Sequence, residues 1–562
     1  MKPGLTGLVI LGVITVAAFL IRVADIGNLP PSLSWDEASI GYNAYSILTT
    51  GRDEHGKLLP LYAFAAYGDY KPPLPVYLTV PFVAVLGLNE TAVRMPSVLS
   101  GTAAVVLTYF LCLELFRRVK IAGPSRKKGI TATGSLPSLP EGQVAAVGLT
   151  AAAVLAVSPW HIQLSRAGWE ANIATTLVIA GVCLLLIAAR KPFLYTVSLL
   201  PFVLAIYTFN SARYAAPLIA CAVLILSNKT WAKYRKSLAA GLVIAFVTLL
   251  PILPHLLSPQ ARLRFTEVNI FTDPAPVNRS NQLTGIDGNT VIARIIHNRR
   301  IGYIRSFLSH YLDHFEPDFL FIRGDGNPKF SLRDTGQLYL LEFPLLVAGI
   351  FLLWRMLPRT ALILSAWLLL AIIPAATARE TPHALRTEGT LPVWQIFIAF
   401  SVVTFTSRLR GWWRYGVIGA LILAYLFSWS HFWHVYRNHY AYEYSGEWQY
   451  GYREAIRAAG KIGNAYDRIV ITESIGRPYM YVLFYTRYGP AEFRAGRDDS
   501  FDTAGFYHVN GFGKYRFSDT VTEWQGDTLY IMPPKVVPTN ARVLETVKLL
   551  SGEPVLVLFD II

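Results

Sequence analysis

The chain has 562 residues, of which 53% are hydrophobic and only 15% are charged. Soluble globular proteins carry roughly 25% charged residues, so this composition excludes an ordinary soluble protein and indicates a membrane protein. The formal net charge of +15 would suggest nucleic acid as a partner of a soluble protein, but most basic residues here lie in short segments between apolar stretches, where they report on membrane topology.

Apolar segments recur along most of the chain. A membrane-spanning helix needs about 20 mainly apolar residues, and about eleven segments approach that length. In chain order the predicted spans are 5–22, 92–116, 143–159, 170–189, 193–209, 212–227, 238–256, 337–354, 360–378, 390–406 and 415–434. No small-residue cleavage site follows the first segment, so we interpret it as an uncleaved span and not as a signal peptide.

Basic residues give an independent prediction of orientation. If the N-terminus is cytoplasmic, five connections face the cytoplasm, and each is rich in Lys and Arg and nearly free of acids. These connections are 117–142, 190–192, 228–237, 355–359 and 407–414. The pattern predicts a multi-pass protein of the plasma (inner) membrane, with a cytoplasmic N-terminus and an extracytoplasmic C-terminus. Residues 123–140, rich in Gly, Pro, Ser and Lys, are predicted to be a disordered cytoplasmic loop.

Three longer segments, 23–91, 257–336 and 435–562, then lie outside the membrane. In the last, strand-like runs alternate with a helix-like run, which indicates a small α/β unit. The runs are strands at 468–472, 528–532 and 554–558 and a helix at 478–488. The predicted fold class is therefore an α-helical polytopic membrane protein with a small extracytoplasmic α/β domain, divided into 1–435 and 436–562.

The three cysteines, Cys112, Cys183 and Cys221, fall in apolar segments without metal-ligand spacing. They are predicted to be small core hydrophobes. No P-loop, Gly-rich dinucleotide fingerprint or Asp-x-Asp motif is present. Asp325-Gly326 is predicted to be a plain turn.

Charged residues gather at the outer membrane edge in connections that are far apart in sequence. One acidic pair alone would be interpreted as loop charges in water. Acids and bases that recur in several connections at the same membrane edge are harder to explain in that way. Charges cost about 2.5–3.5 kcal/mol each at the membrane centre and face a cavity or a partner when they occur near it. A cavity with cations and carboxylates suits a phosphate-linked substrate, because cations hold the phosphate and a carboxylate deprotonates a hydroxyl. The residues are Asp36, Glu37, Asp69, Lys71, Arg94, Arg166 and Glu170.

At these residues the sequence resembles the C-type (GT-C) glycosyltransferases of family 39, which include protein O-mannosyltransferases and lipid A aminoarabinose transferases. The similarity is to their bacterial, phospholipid carrier-dependent branch. It extends over about 30–330 most strongly, continues to about 435 and is weak beyond. The motifs are Asp36-Glu37, 68–74, 92–97, 158–166, 315–327 and 381–386.

The resemblance implies a role for each of these positions. Asp36 corresponds to the essential carboxylate, with Glu37 beside it. Glu170, four residues after Arg166, stands where many members have Asp. Lys71 and Arg94 correspond to residues near the lipid phosphate. The predicted donor-phosphate or substrate-binding set is Asp69, Lys71, Arg94, Arg166, His383 and Arg386.

For His383 and Arg386 an ordinary interfacial loop remains the alternative. Metal binding is also left open. Some members bind a metal through an acid directly before the lysine of the Lys-Pro motif, but here Tyr70 occupies that place and Asp69 lies one residue earlier. No cofactor is therefore implied, and a divalent metal stays an open question.

The predicted function is transfer of a hexosyl or pentosyl group from a polyprenyl-phosphate donor to a hydroxyl of a protein, lipid or glycan, by inverting single displacement. Membrane lipid is the expected surrounding and nucleic acid is not an expected partner. Two alternatives stay open. A lipid or sugar transporter or flippase would place charges near the membrane midplane, often in repeated halves. A non-catalytic envelope assembly protein would have a decayed site.

Overall fold

The computed structural model describes residues 4–67, 69–117, 139–227, 230–258, 268–502, 507–521, 525 and 527–561. The predicted disordered loop at 123–140 lies outside the described residues except for its last two positions.

Helices make up most of the first 450 residues, and one short hairpin interrupts them. The helices are α1 Leu5–Val23, α2 Trp35–Thr50, α3 Leu74–Leu86, α4 Glu90–Leu115, α5 Glu141–Val157, α6 Pro159–Arg166, α7 Glu170–Ala188, α8 Leu200–Ile206, α9 Ala212–Leu226, α10 Thr230–Lys233, α11 Arg235–Leu249, α12 Leu253–Leu256, α13 Ala275–Ile286, α14 Val291–Ile296, α15 Arg299–Asp313, α16 Glu342–Met356, α17 Pro358–Ala376, α18 Ala384–Thr387, α19 Val393–Arg408, α20 Trp412–Asn438 and α21 Tyr440–Tyr444. The hairpin pairs β1 Phe64–Ala66 antiparallel with β2 Asp69–Lys71.

Five of the described helices, α1, α4, α7, α17 and α20, are long and apolar enough to cross a membrane. Two bent pairs raise the number to seven if each pair is one span, with bends of 57° between α5 and α6 and 52° between the α18 segment and α19. Proline explains both bends, because Pro159 and Pro392 lack the backbone N–H that would continue the preceding helix. Each predicted span overlaps a helix, but the exact count of about eleven stays a prediction.

Helix α4 lies at the centre of the helical part and packs against α1, α3, α5, α6 and α7. Its approach to α6 is close, since a Cβ on Gly101 would lie 2.5 Å from Cβ of Ser165. Cys112 and Cys183 are buried in this core, as predicted. Cys221 is exposed, so the prediction is wrong for this residue, because α9 buries its opposite face.

The C-terminal residues form a mixed sheet, which confirms the predicted strands and the helix near 478–488. Its described strands follow the order β4-β5-β6-β3-β7-β9-β8, and β3 runs parallel to both of its neighbours. The elements are α22 Tyr452–Ile462, β3 Arg468–Ile471, α23 Pro478–Thr486, α24 Pro490–Gly496, β4 Asp498–Phe501, β5 Tyr507–Phe512, β6 Tyr515–Phe517, β7 Thr528–Met532, β8 Ala541–Lys548 and β9 Pro554–Ile561. Helix α23 packs directly on α2 of the first outer loop. The division into 1–435 and 436–562 stays a prediction.

Candidate functional site

A cavity of about 690 Å³ opens where the first outer loop meets the outer ends of several helices. Segments that are distant in sequence contribute to its wall, namely the start of α2, the end of β2, the starts of α7 and α9, the end of α17 and the loops at 327–330 and 380–386. The cavity brings together five of the nine predicted site residues: Asp36, Lys71, Glu170, His383 and Arg386.

The start of α2 holds Asp36 in place through a capping box. The Ser34 hydroxyl accepts from the Glu37 backbone N–H at 3.3 Å, and Glu37 Oε2 accepts from the Ser34 backbone N–H at 2.9 Å. This reciprocal arrangement satisfies two backbone donors at the helix start and fixes its first turn. Asp36 therefore lies at a helix N-terminus, where the helix dipole stabilises a carboxylate.

Asp36 forms an ion pair with a lysine from the hairpin. Lys71 Nζ lies 3.0 Å from Asp36 Oδ1, with 15% of the lysine side chain and 22% of the aspartate side chain exposed. Lys71 ends β2, and its backbone is held in register opposite Phe64. The hairpin thus presents a cation to the carboxylate, and both groups stay accessible from the cavity.

A second lysine, Lys329, faces the same region and was not predicted from the sequence. Its Nζ lies 4.8 Å from the ring centroid of Trp35, the residue before Asp36. Burial lowers the pKa of Lys329, although the nearby carboxylates of Asp36, Glu447 and Glu37 act in the opposite direction. The only sequence signal was its position two residues after the 315–327 motif, in a loop with no amphipathic pattern.

Asp325, predicted as a turn residue within the 315–327 motif, joins two loops at the cavity. Its carboxylate accepts from the backbone N–H of Asn327 at 2.8 Å and from that of Ala384 at 2.6 Å. Burial raises the pKa of Asp325 to about 6, against the opposing effect of these hydrogen bonds. His383 Nδ1 lies 3.8 Å from the same carboxylate. Asp325 therefore fixes the loop that carries His383 and Arg386.

Glu37 and Arg94 lie behind the cavity and not in its wall. Both side chains are fully buried, with Arg94 Nε 2.8 Å from Glu37 Oε1. Glu37 Oε1 also accepts from the backbone N–H of Gly168 at 2.9 Å. The remaining donors of Arg94 reach the backbone carbonyls of Ile26, Pro30 and Ser32.

Arg166 is bound in the same way from α6. Its guanidinium donates to backbone carbonyls at the end of α1 and in the segment that follows it, and to one hydroxyl, and its side chain is buried. The acceptors are Ile21, Arg22, Ala24, Leu29 and the hydroxyl of Tyr436. The structure therefore does not bring Arg94 or Arg166 to the cavity, because their donors satisfy carbonyls of residues 21–32 that no helix satisfies.

Asp69 lies in β2, where its backbone pairs with that of Ala66. Within the described part of the chain, no three His, Cys, Asp or Glu side chains are grouped to hold a metal ion.

The cavity combines charged and apolar walls. Its cationic side chains are Lys71, Arg213, Lys329 and Arg386, and its carboxylates are Asp36, Glu170 and Glu380. Apolar residues come mainly from helices α9 and α17 and from the loops beside them: Phe209, Leu218, Phe271, Ile373 and Leu385. Such a cavity can hold a phosphate and sugar at its charged part and an apolar chain along the helices.

Neither a family model nor a curated protein matches this chain. Solved structures do match it. ArnT from Cupriavidus metallidurans bound to undecaprenyl phosphate matches with a TM-score of 0.51 and 14% identity, over 99% of this chain and 98% of its own. ArnT in the apo state matches with a TM-score of 0.50 and 13% identity, over 98% of this chain and 97% of its own. The chain therefore shares the fold of ArnT over 99% of its length, which confirms the resemblance at the level of the fold.

Proposed function

We propose that the protein is a membrane glycosyltransferase that moves a sugar from a polyprenyl-phosphate donor to an acceptor hydroxyl on the extracytoplasmic face. The observation that supports this most directly is the Asp36–Lys71 pair, 3.0 Å apart, in a cavity of about 690 Å³ that is also walled by the apolar residues of α9 and α17. ArnT, which shares the fold, is described as bound to undecaprenyl phosphate, and this favours the same class of donor here.

The reaction is an inverting single displacement. The acceptor oxygen forms a bond to the anomeric carbon while the bond from that carbon to the phosphate oxygen breaks, and its electron pair stays on the phosphate. Asp36 takes the proton of the attacking hydroxyl, which is a poor nucleophile at neutral pH. Lys71 and Lys329 hold the negative charge of the departing phosphate, because preorganised cations stabilise charge that develops in the transition state.

Other cavity residues complete the binding site. Arg386 adds a cation to the phosphate contacts, and His383 lies next to it on the loop fixed by Asp325. Glu170 begins α7 at the cavity wall and orients hydroxyl groups of the sugar or acceptor. Arg94 and Arg166 act as positioning residues, because their contacts fix the segment before α2.

The proposal keeps the eleven-span topology in the plasma membrane, with the N-terminus inside and the residues after 435 outside. The basic cytoplasmic connections support this orientation, and the cavity then opens on the side where a protein, lipid or glycan acceptor is available.

The test is a transfer assay with purified protein and radiolabelled polyprenyl-phosphate sugars. Asp36→Asn keeps the size of the side chain but removes the base, so we expect transfer to fall by about 10²–10⁴-fold. Glu443→Gln, which changes an exposed carboxylate outside the cavity, should transfer at the wild-type rate. Wild-type protein that moves the donor across vesicles without consuming it would indicate a flippase, and a fully active Asp36→Asn variant would refute the assigned base.

A further inference from the structure

The outer segment that follows α13 exposes a row of large apolar side chains although it lies outside the predicted spans. Eight aliphatic side chains between 291 and 312, here called the outer ridge, are between 49% and 75% exposed. On α15 four of them fall within an arc of about 80°, at 100° per residue, so they form one continuous face. The outer ridge consists of Val291, Ile292, Ile295, Ile296, Ile301, Ile304, Leu308 and Leu312.

The same segment is strongly basic. Residues 291–312 contain four arginines and neither Asp nor Glu. All four are exposed, and none forms an ion pair with an acid among the described residues. They are Arg294, Arg299, Arg300 and Arg305. The segment belongs to the long outer segment 257–336, where the charge bias of short loops does not apply, so its basic residues are not a topology signal.

Contacts with α17 place the C-terminal end of α15 beside a candidate membrane span. The Tyr311 hydroxyl donates to the backbone carbonyl of Leu369 at 2.8 Å, and His310 Nδ1 lies 2.8 Å from the carbonyl oxygen of Ala378. Leu369 lies seven residues before the end of α17 at Ala376, which is about 10 Å along the helix axis. Helix α15 therefore lies beside the outer part of a candidate span and not above it.

We propose that the outer ridge and its arginines form an interfacial anchor that binds anionic phospholipid in the outer leaflet. The aliphatic face enters the boundary between headgroups and acyl chains, and the arginines contact the phosphates. Amphipathic helices with aliphatic and basic residues bind membrane surfaces in this way, typically about 5–10 Å deep. Charge complementarity selects anionic lipid, because four cations face outward without an acid among them.

The anchor adjoins the cavity. The Ala378 carbonyl accepts from His310 on α15 and also lines the cavity. Phe271 lines the cavity too, and its ring lies 5.9 Å from that of Tyr303 on α15. The anchor therefore holds this edge of the cavity at the lipid surface. This inference concerns lipid contact and does not depend on the proposed transfer reaction.

The test uses the full chain in nanodiscs with an environment-sensitive label on single cysteines. Cys221 is first replaced, because it is the exposed one of the three cysteines. Labels at Ile304→Cys and Leu308→Cys should shift to the blue and be quenched by lipids that carry a quencher near the headgroup. A label at Ser551→Cys, in the exposed turn between β8 and β9, should show neither effect.

Lipid charge is tested by titrating phosphatidylglycerol into phosphatidylcholine discs and following the label at position 304. Arg299→Gln with Arg300→Gln should weaken the apparent affinity for phosphatidylglycerol by about 30-fold, or about fivefold per arginine, so the label should no longer respond within the titration. The matched control, Arg468→Gln with Arg516→Gln, removes two exposed arginines from the C-terminal sheet and should leave the titration unchanged.

Three results would overturn the proposal. Labels that stay in water in all discs would exclude the anchor. A disulfide that joins two Ile304→Cys chains, with the label shielded from lipid, would assign the ridge to a second copy of the protein. A response to undecaprenyl phosphate but not to phosphatidylglycerol would assign the arginines to the donor headgroup.

Discussion

Asp36 and Glu37 are neighbours in sequence but have opposite environments. Asp36 faces the cavity and is partly exposed, whereas Glu37 is fully buried and bound to Arg94, Gly168 and Ser34. A buried charge that loses its partner destabilises a protein by about 3–5 kcal/mol. Within this acidic pair, we therefore expect Asp36 to contribute to activity and Glu37 to stability.

Substitutions of the cations should likewise fall into two groups, one that lowers activity and one that lowers stability. Lys71→Gln and Lys329→Gln should each lower kcat/KM for the donor by about 10²–10³-fold, because each removes a charge that stabilises the phosphate in the transition state. Arg94→Gln should instead lower the unfolding temperature, since it leaves the buried Glu37 carboxylate without its cation and several backbone carbonyls without their donors. Transfer kinetics and thermal unfolding of the three purified variants check this. A stable Arg94→Gln variant with a selective loss of donor affinity would return Arg94 to the phosphate site.

A buried pair at the junction of the first outer loop and the C-terminal sheet predicts a pH dependence. Glu54 is fully buried, and His55 Nε2 lies 3.2 Å from its carboxylate. Burial raises the pKa of Glu54. Burial alone would lower the pKa of His55, but the Glu54 carboxylate raises it overall. Charged and titratable groups around the pair are Asp53, Arg494, Arg497, Tyr42, Tyr67, Tyr479 and Tyr507.

Both groups of this pair hold protons more tightly in the folded protein than in the unfolded chain. Their stabilising contribution is complete below the unfolded pKa values, about 4.3 for Glu and 6.5 for His, and is lost as the pH rises through the higher folded values. The unfolding temperature of the wild type should therefore fall as the pH rises from about 5 to about 9. Glu54→Gln should flatten the profile, and Glu553→Gln, which changes an exposed acid, should not. Parallel profiles for the wild type and Glu54→Gln would contradict this assignment.

At the level of residues, the sequence identified the acids and bases at the outer membrane edge. It did not show which of them line the cavity and which are buried behind it. Spacing placed Asp36, Lys71 and Glu170 near the membrane surface, and the cavity contains all three. It could not show that residues 21–32 leave carbonyls unsatisfied, and these carbonyls bind Arg94 and Arg166. Lys329 escaped prediction because a lone lysine in a loop has no periodic pattern.

Among the elements, the start of α2 carries a sequence signal that hydropathy does not report. Ser34-x-x-Glu37 is the sequence signature of a capping box, which marks a helix start independently of hydropathy. Helix α3 is not among the predicted spans, because its 13 residues are too few to cross a membrane. The predicted spans 143–159 and 390–406 cover α5 and α19 but not α6 and the α18 segment, which meet them at angles of 57° and 52°. Pro159 and Pro392 lie at these junctions, and hydropathy does not report the backbone N–H that a proline lacks.

Helix α2 also joins the site to the C-terminal sheet through one glycine. A Cβ on Gly41 would lie 2.5 Å from Cε2 of Phe484 on α23 and 2.6 Å from Cγ2 of Val93 on α4. Gly41→Leu should therefore force α23 away from α2 and shift Asp36. We expect transfer to fall at least tenfold and proteolysis between α21 and α22 to increase, as overpacking typically costs about 1–3 kcal/mol. Limited proteolysis with the transfer assay checks both effects. Gly285→Leu, where a Cβ meets nothing within 4 Å, is the control and should behave as wild type.

For the whole molecule, the C-terminal sheet supports the site without lining it. In the described part of the chain, the residues that line the cavity end at Arg386, and none comes from 452–561. Helix α23 of the C-terminal unit contacts α2 instead, and its Tyr481 hydroxyl donates to the carbonyl of Leu33, just before α2, at 2.9 Å. The resemblance was weak in this region, yet the fold of ArnT matches over 99% of the chain. In this region the fold is therefore similar to that of ArnT although the sequence resemblance is weak.

Topology decides whether this arrangement can work, because the cavity, the outer ridge and the C-terminal sheet must all face the side where the acceptor is present. Every predicted cytoplasmic connection is basic, and moving such loops outward opposes the charge bias that sets orientation. Reporter fusions after Lys128 and after Lys236 should therefore show a cytoplasmic location. Fusions after Gly285 and at the C-terminus should show an external one. The four fusions control one another, since each reporter must be active on one side and silent on the other. A cytoplasmic C-terminus would require an even number of spans and would put the sheet and α2 on opposite sides of the membrane, which the contact between Gly41 and Phe484 does not allow.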